Sequence, residues 1–176
     1  SGEKELEGLE IDTDLRWALV TSLAAGGRRT AADIDAELER DNTSNGQQAA
    51  ATAQAAIPTS AAKEKVWNEV VENNELSNIV QRSAIAGFFA PHDNALTDPF
   101  IDRYFNSIEG LWRERSHEIS QQIIGGLFPR NYSKELVEKT EKFLESLPDD
   151  AASLHRQVSE ARDGMVRALK VQAADQ

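Results

Sequence analysis

The stretch DPFIDRYFNSIEGLW, Asp98 to Trp112, decides the fold class. Ile101, Tyr104, Phe105, Ile108, Leu111 and Trp112 recur at intervals of three and four residues, which places them on one side of an α-helix. Pro99 sits at the first helical position, where its missing N–H costs nothing. This spacing predicts the most strongly amphipathic helix of the chain, and the same period governs the flanking sequence in both directions.

Downstream, Ser116 is placed to cap a helix that opens with HEISQ, His117 to Gln121, and carries Ile119, Ile123, Ile124 and Leu127 on one arc. HEISQ lies one substitution from the zinc-peptidase signature H-E-x-x-H, which needs imidazoles one helical turn apart to hold the metal. Gln121 cannot replace the second imidazole, and His92 and His155 lie far off in sequence. His117 is therefore expected at the edge of a packed arc, with Glu118 as a solvated acid in the first turn. Ser133 begins a further helix with Leu136, Thr140, Phe143, Leu144 and Leu147, followed by Pro148. A last helix carries Leu154, Val158, Ala161, Met165 and Leu169 inward and charge outward, with Met165 as a core filler.

Upstream, Ser77 is a candidate cap for a helix with Val80, Ala84, Ile85 and Phe88, which stops before Pro91. Beyond Pro58, Val66, Trp67, Val70 and Val71 form an apolar stripe, with Trp67 in the core and Lys63, Glu64, Glu69 and Glu72 expected on the opposite side. Ser44-Asn-Gly-Gln47 reads as a capping box opening an alanine-rich helix that Pro58 ends. Thr30-Ala-Ala-Asp33 is another such box, opening a helix through Arg40. The first helix runs from Asp12 to Ala25 with Leu15, Leu19, Ser22 and Leu23 at helical spacing, and it ends on Gly26 and Gly27.

These readings give an all-α chain of about nine helices and no strand. Pair starts near Asp12, Ser44, Ser77 and Ser116 fall roughly 32 to 39 residues apart, the scale of stacked helical hairpins. The expected architecture is an α-α superhelix, a HEAT- or armadillo-like solenoid, with four-helix-bundle packing as the alternative. Residues 1–11 are expected to be a linker or cut end and residues 12–176 one helical-repeat domain.

Composition agrees with this and narrows the function. The 176 residues suffice for one domain with a real core. With 19 basic and 30 acidic side chains the net charge is −11, which disfavours nucleic acid and anionic membrane surfaces. No cysteine is present, so disulfides, thiolate metal sites and cysteine nucleophiles are excluded, in keeping with a cytoplasmic setting. No apolar run has the length of a membrane span. Gly26-Gly27 and Gly125-Gly126 close helices instead of cradling phosphate, and no G-x-S-x-G elbow occurs. Arg113-Glu114-Arg115 reads first as solvated capping at a helix end; in the functional alternative one of these arginines, or Arg103, receives a peptide carboxylate. No residue takes a catalytic, cofactor-binding or metal-ligating role, and the sequence does not single out the side chains lining a substrate chamber.

Several landmarks resemble one family. Leu15-Arg16-Trp17, WNEVVENNELSN from Trp67 to Asn78, Ala86-Gly87-Phe88, Arg103-Tyr104-Phe105 with Trp112, Gly126-Leu127-Phe128-Pro129 and Ala161-Arg162-Asp163 occur in order across nearly the whole chain. Together they resemble the C-terminal helical domain, of the endoplasmic-reticulum-aminopeptidase-like type, of bacterial aminopeptidase N, a gluzincin zinc metallo-aminopeptidase. The resemblance implies an upstream catalytic domain holding zinc through H-E-x-x-H and a distant glutamate. A G-A-M-E-N type motif there would capture the substrate's N-terminus; this chain has neither motif. In that family the metal polarises the scissile carbonyl and lowers the pKa of its water, while the motif glutamate serves as general base. For this chain the resemblance implies a helical bowl that closes over the active site, with peptide substrates and the upstream domain as partners and no cofactor of its own. A reading of a different class is a free-standing helical-repeat scaffold binding a protein or peptide.

Overall fold

The computed structural model describes residues 12–73 and 75–174. The expected linker, 1–11, lies outside the described residues. Nine helices of eight residues or more are present among the described residues, with no strand: α1 (Thr13–Ala25), α2 (Ala31–Arg40), α3 (Ser44–Ala56), α4 (Ser60–Trp67), α5 (Asn78–Phe88), α7 (Ile101–Glu114), α8 (His117–Gly126), α9 (Lys134–Ser146) and α10 (Ala152–Ala174). A single extra turn, α6 (Asn94–Thr97), runs into a 3₁₀ turn at Asp98–Phe100, so the expected restart at Asp98-Pro99 begins tighter than an α-helix. A π-helical turn, Asn68–Asn73, extends α4.

Helices α1, α3, α5, α8 and α10 pack side by side in that order, and α2, α4, α7 and α9 each lie against members of that row. Among the described residues the arrangement is all helical, as expected. Close approach within the row depends on small residues. A Cβ on Gly87 of α5 would stand 2.2 Å from the Thr52 carbonyl oxygen and 2.8 Å from the Ala55 Cβ, both on α3. The Thr52 hydroxyl uses this proximity to donate to the Ser83 carbonyl at 3.0 Å.

Two apolar clusters fill the interior. Trp17, Ala24, Ile34, Ala50 and Ala53 join α1, α2 and α3. A larger cluster runs from Ala55 through α4, α5, α7, α8 and α9 to Leu154, Val158 and Met165 of α10. Trp67 and Met165 are buried as expected, with Trp67 tilted against Phe100 at 5.2 Å.

Local capping follows the sequence at most helix starts. Ser77, Ser116 and Ser133 cap α5, α8 and α9, and Thr30 forms the complete box with Asp33. Two expectations fail. The cap of α3 is Thr43, which accepts from the Gly46 amide, and Ser44 is already helical, so the Ser44 box does not form. Lys63 is not on the solvent face of α4 but fully buried. On α1 the side packed inward is Trp17, Val20 and Ala24, and Leu19 is 45% exposed.

Candidate functional site: an apolar groove and its charged surroundings

Helices α2 and α4 stand apart over α3 and leave a cavity of about 620 Å³. Its surface is built by Ala50, Ala51 and Ala55 of α3, Leu38 of α2, Val66 of α4 and Val80 of α5. Short alanine side chains on α3 leave this space unfilled, the physical outcome of the small-faced helix seen in the sequence. Polar side chains beside it are linked: the Gln54 amide donates to Asp35 Oδ1 at 2.7 Å, Lys65 Nζ lies 3.4 Å from Gln54 Oε1, and Glu69 Oε1 lies 3.8 Å from Lys65. The lining contains one carboxylate, Glu69, no histidine and no serine. Such a surface can receive apolar groups and exchange amide hydrogen bonds; it has no nucleophile-and-base pair.

Beside the groove, Lys63 turns into the core. Its ammonium donates to the Ala55 carbonyl at the end of α3 (2.6 Å) and to the Ala90 carbonyl beyond α5 (2.7 Å), and it lies 5.8 Å from the Phe88 ring centre. Helix ends leave carbonyls without amide partners, and Lys63 satisfies one at each of two ends. Burial pushes its pKa down to about 8. The sequence contained the signal: Lys63 precedes Val66, Trp67 and Val70 by three, four and seven residues and so shares their face.

The three arginines singled out as carboxylate receptors are engaged within the fold. Arg103 pairs with both oxygens of Glu64 at 2.9 and 2.8 Å and with Glu72 at 2.9 Å, its guanidinium 5.0 Å from the ring centres of Trp67 and Phe100. Arg113 bridges Glu109 and Asp150, holding the Asp150 carboxyl below its ordinary pKa. Arg115 donates to the Val71 carbonyl, within the π-helical turn, at 2.8 Å, and burial lowers its pKa.

The histidines do not come together. His117 is exposed at the start of α8, His155 is exposed on α10, and His92 is exposed in the segment before α6. Glu118 and Gln121 are also exposed, while Ile123 and Ile124 are buried, as the arc of α8 requires. The donors around HEISQ do not fit zinc: an amide stands where a second imidazole is needed, and among the described residues no three His, Asp or Glu side chains converge.

An all-α domain with an apolar groove and ion-paired arginines on its surface is the class these features define. The ERAP1-like C-terminal domain family matches residues 2–167, and the chain belongs to that family. It is 47% identical over 175 residues to Aminopeptidase N of Streptomyces lividans, an overlap covering 99% of this chain and 20% of that protein. The resemblance to an aminopeptidase N C-terminal domain is thereby borne out. Among the described residues, no helix is long and apolar enough to cross a membrane.

Proposed function

We infer that this chain is the non-catalytic C-terminal part of a zinc-dependent, cytoplasmic aminopeptidase, where it caps the active site of the catalytic domain and shapes the chamber that admits peptides. The observation that carries this reading is the 47% identity to Aminopeptidase N over 99% of the chain, set against only 20% of that protein's length. The absence of H-E-x-x-H from the sequence agrees with it, since the reaction's metal and general base then belong elsewhere in the polypeptide. When bound there, zinc would polarise the scissile carbonyl. What this chain contributes is shape: a rigid row of helices, exposed polar faces and a groove without reactive groups.

The test compares the polypeptide that carries this chain with a version lacking residues 12–176, on an aminoacyl anilide and on peptides of three to twelve residues. Loss of the dependence of kcat/KM on peptide length is the expected result. Unchanged rates at every length would refute the chamber role. Turnover of the anilide by the 176-residue chain with added zinc would refute the claim that it holds no catalytic centre. An initiator methionine just before Ser1 would favour the free-standing scaffold.

A further inference from the structure

The Ser44-Asn-Gly-Gln47 motif, expected as a capping box, is left without that role once Thr43 takes the cap of α3. It contains the one Asn-Gly pair of the sequence, Asn45-Gly46. Asn45 is exposed and takes no part in the cap, while Gly46 is buried. Packing fixes the glycine: a Cβ there would stand 1.9 Å from the Asp41 carbonyl oxygen and 2.8 Å from Asp41 Oδ2. A glycine that follows an asparagine leaves its peptide nitrogen unshielded, so that nitrogen can reach the asparagine side chain whenever the backbone allows. Close approach of α3 to Asp41 therefore sets a reactive pair at this point of the chain.

We propose that Asn45 is a deamidation site whose rate is set by the Thr43 cap. In the reaction the Gly46 nitrogen gives its proton to hydroxide and bonds to Asn45 Cγ. The Cγ–Nδ2 bond breaks, and the side-chain nitrogen takes a proton from water and leaves as ammonia. Water then opens the five-membered imide at either carbonyl, giving aspartate or isoaspartate, with no change of oxidation state. Two features of the fold hold this back. The Gly46 N–H donates to Thr43 Oγ1 at 3.0 Å and is thereby kept from the base. On a helix the Asn45 side chain leans toward the N-terminus, away from the nitrogen that follows it. Both restraints lapse when the first turn of α3 opens, a local event at a helix end. Loss of a threonine cap corresponds to about fivefold more opening.

The two products act differently on the fold. Aspartate at position 45 puts a carboxylate in the first turn of α3, where the helix dipole favours it. Isoaspartate lengthens the backbone by a methylene, and the turn no longer brings Thr43 Oγ1 to the Gly46 amide. The loss reaches beyond α3: Thr43 also donates to Asp41 Oδ1 at 2.8 Å, and Asp41 Oδ2 accepts from the Trp17 indole of α1 at 2.8 Å. The reaction needs neither a catalytic domain nor a peptide substrate, so it stands apart from the function proposed above.

Wild type, Thr43→Ala, Thr43→Ser and Asn45→Gln are incubated folded at pH 8, and their peptides are followed by mass spectrometry for the one-dalton gain and by isoaspartate detection. Wild type should gain it at Asn45, Thr43→Ala about five times faster, Thr43→Ser at the wild-type rate, and Asn45→Gln at least tenfold more slowly. Equal rates in wild type and Thr43→Ala would overturn the proposal, as would gain confined to other asparagines or no gain at all. Should Thr43→Ala fail to fold, wild type in denaturing urea takes its place: the rate at Asn45 should rise at least tenfold, and an unchanged rate would overturn the protective role of the cap. The isoaspartyl fraction should melt below Asn45→Asp, which carries the other product; equal Tm values would overturn the coupling through Asp41.

Discussion

Replacing Lys63 by methionine tests the energetics of the most constrained charge in the fold. The side chain is fully buried, and the oxygens its ammonium touches belong to the Ala55 and Ala90 carbonyls. Two effects oppose each other: short bonds to carbonyl oxygens favour the ammonium, and removal from water disfavours it. Desolvation wins, lowering the pKa to about 8 from an ordinary 10.5. The folded protein therefore releases this proton before the unfolded chain does. Between pH 8 and 10.5 the unfolded state holds more protons, so this group adds stability as pH rises through that window. The gap between the two values corresponds to about 3 kcal/mol. The neutral amine keeps two N–H groups for its two carbonyls, so the hydrogen bonds survive the titration. Urea denaturation of the wild type and Lys63→Met at pH 7, 8, 9 and 10 should show the wild type gaining on the variant by an amount approaching that figure, while other titrations cancel in the difference. A flat difference would refute the dominance of desolvation, and one that falls with pH would reverse its sign.

Gly87→Ala should destabilise by about 2 kcal/mol or more, since its Cβ meets the Thr52 carbonyl oxygen at 2.2 Å and backbone cannot yield as a side chain does. Gly110→Ala, in the middle of α7 with nothing within 4 Å of its Cβ, should instead stabilise by about 0.5–1 kcal/mol; thermal and urea unfolding of both variants check the contrast. Tyr104→Phe removes the 2.7 Å bond from the buried hydroxyl to the Ile124 carbonyl and should cost about 1–3 kcal/mol in the same assay. His117→Ala should leave the zinc content of the longer polypeptide unchanged by atomic absorption, because the exposed imidazole has no converging partners; a stoichiometric loss would refute this.

The helices were legible because amphipathic period and N-terminal caps are local properties. Ser77, Ser116 and Ser133 each reach an amide three residues on, so the motif and its partner lie in one glance of sequence. Thr43 was missed in favour of Ser44, its neighbour of like chemistry, because both hydroxyls suit a cap and only backbone geometry separates them. On α1 the leucines at helical spacing do not by themselves say which side is buried. Trp17, Val20 and Ala24 offered an equally apolar alternative, and nothing local ranks the two. The groove was visible only as an alanine-rich helix, since whether small side chains bring helices together or leave a void depends on where α2 and α4 lie.

The other ends of the helices explain what sequence reading left out. A helix N-terminus is closed by a side chain a few residues away, but here the C-terminal carbonyls are closed from afar. Ala55 at the end of α3 receives Lys63, eight residues on; Ile124 near the end of α8 receives Tyr104, twenty residues back; Val71 in the π-helical turn receives Arg115, forty-four residues on. Each donor stands on a different helix from its acceptor, so each bond forms only when separate helices dock. Lys63 and Arg115 are also the charges whose placement sequence alone misjudged or left open between capping and ligand binding. The same fact accounts for both outcomes: in a hairpin stack, cations and hydroxyls that sequence presents as free surface or candidate ligand sites serve as the partners of carbonyls on neighbouring helices. The groove over α3 is then the surface to test for function, since Arg103 and Arg113 are already engaged by carboxylates of the fold.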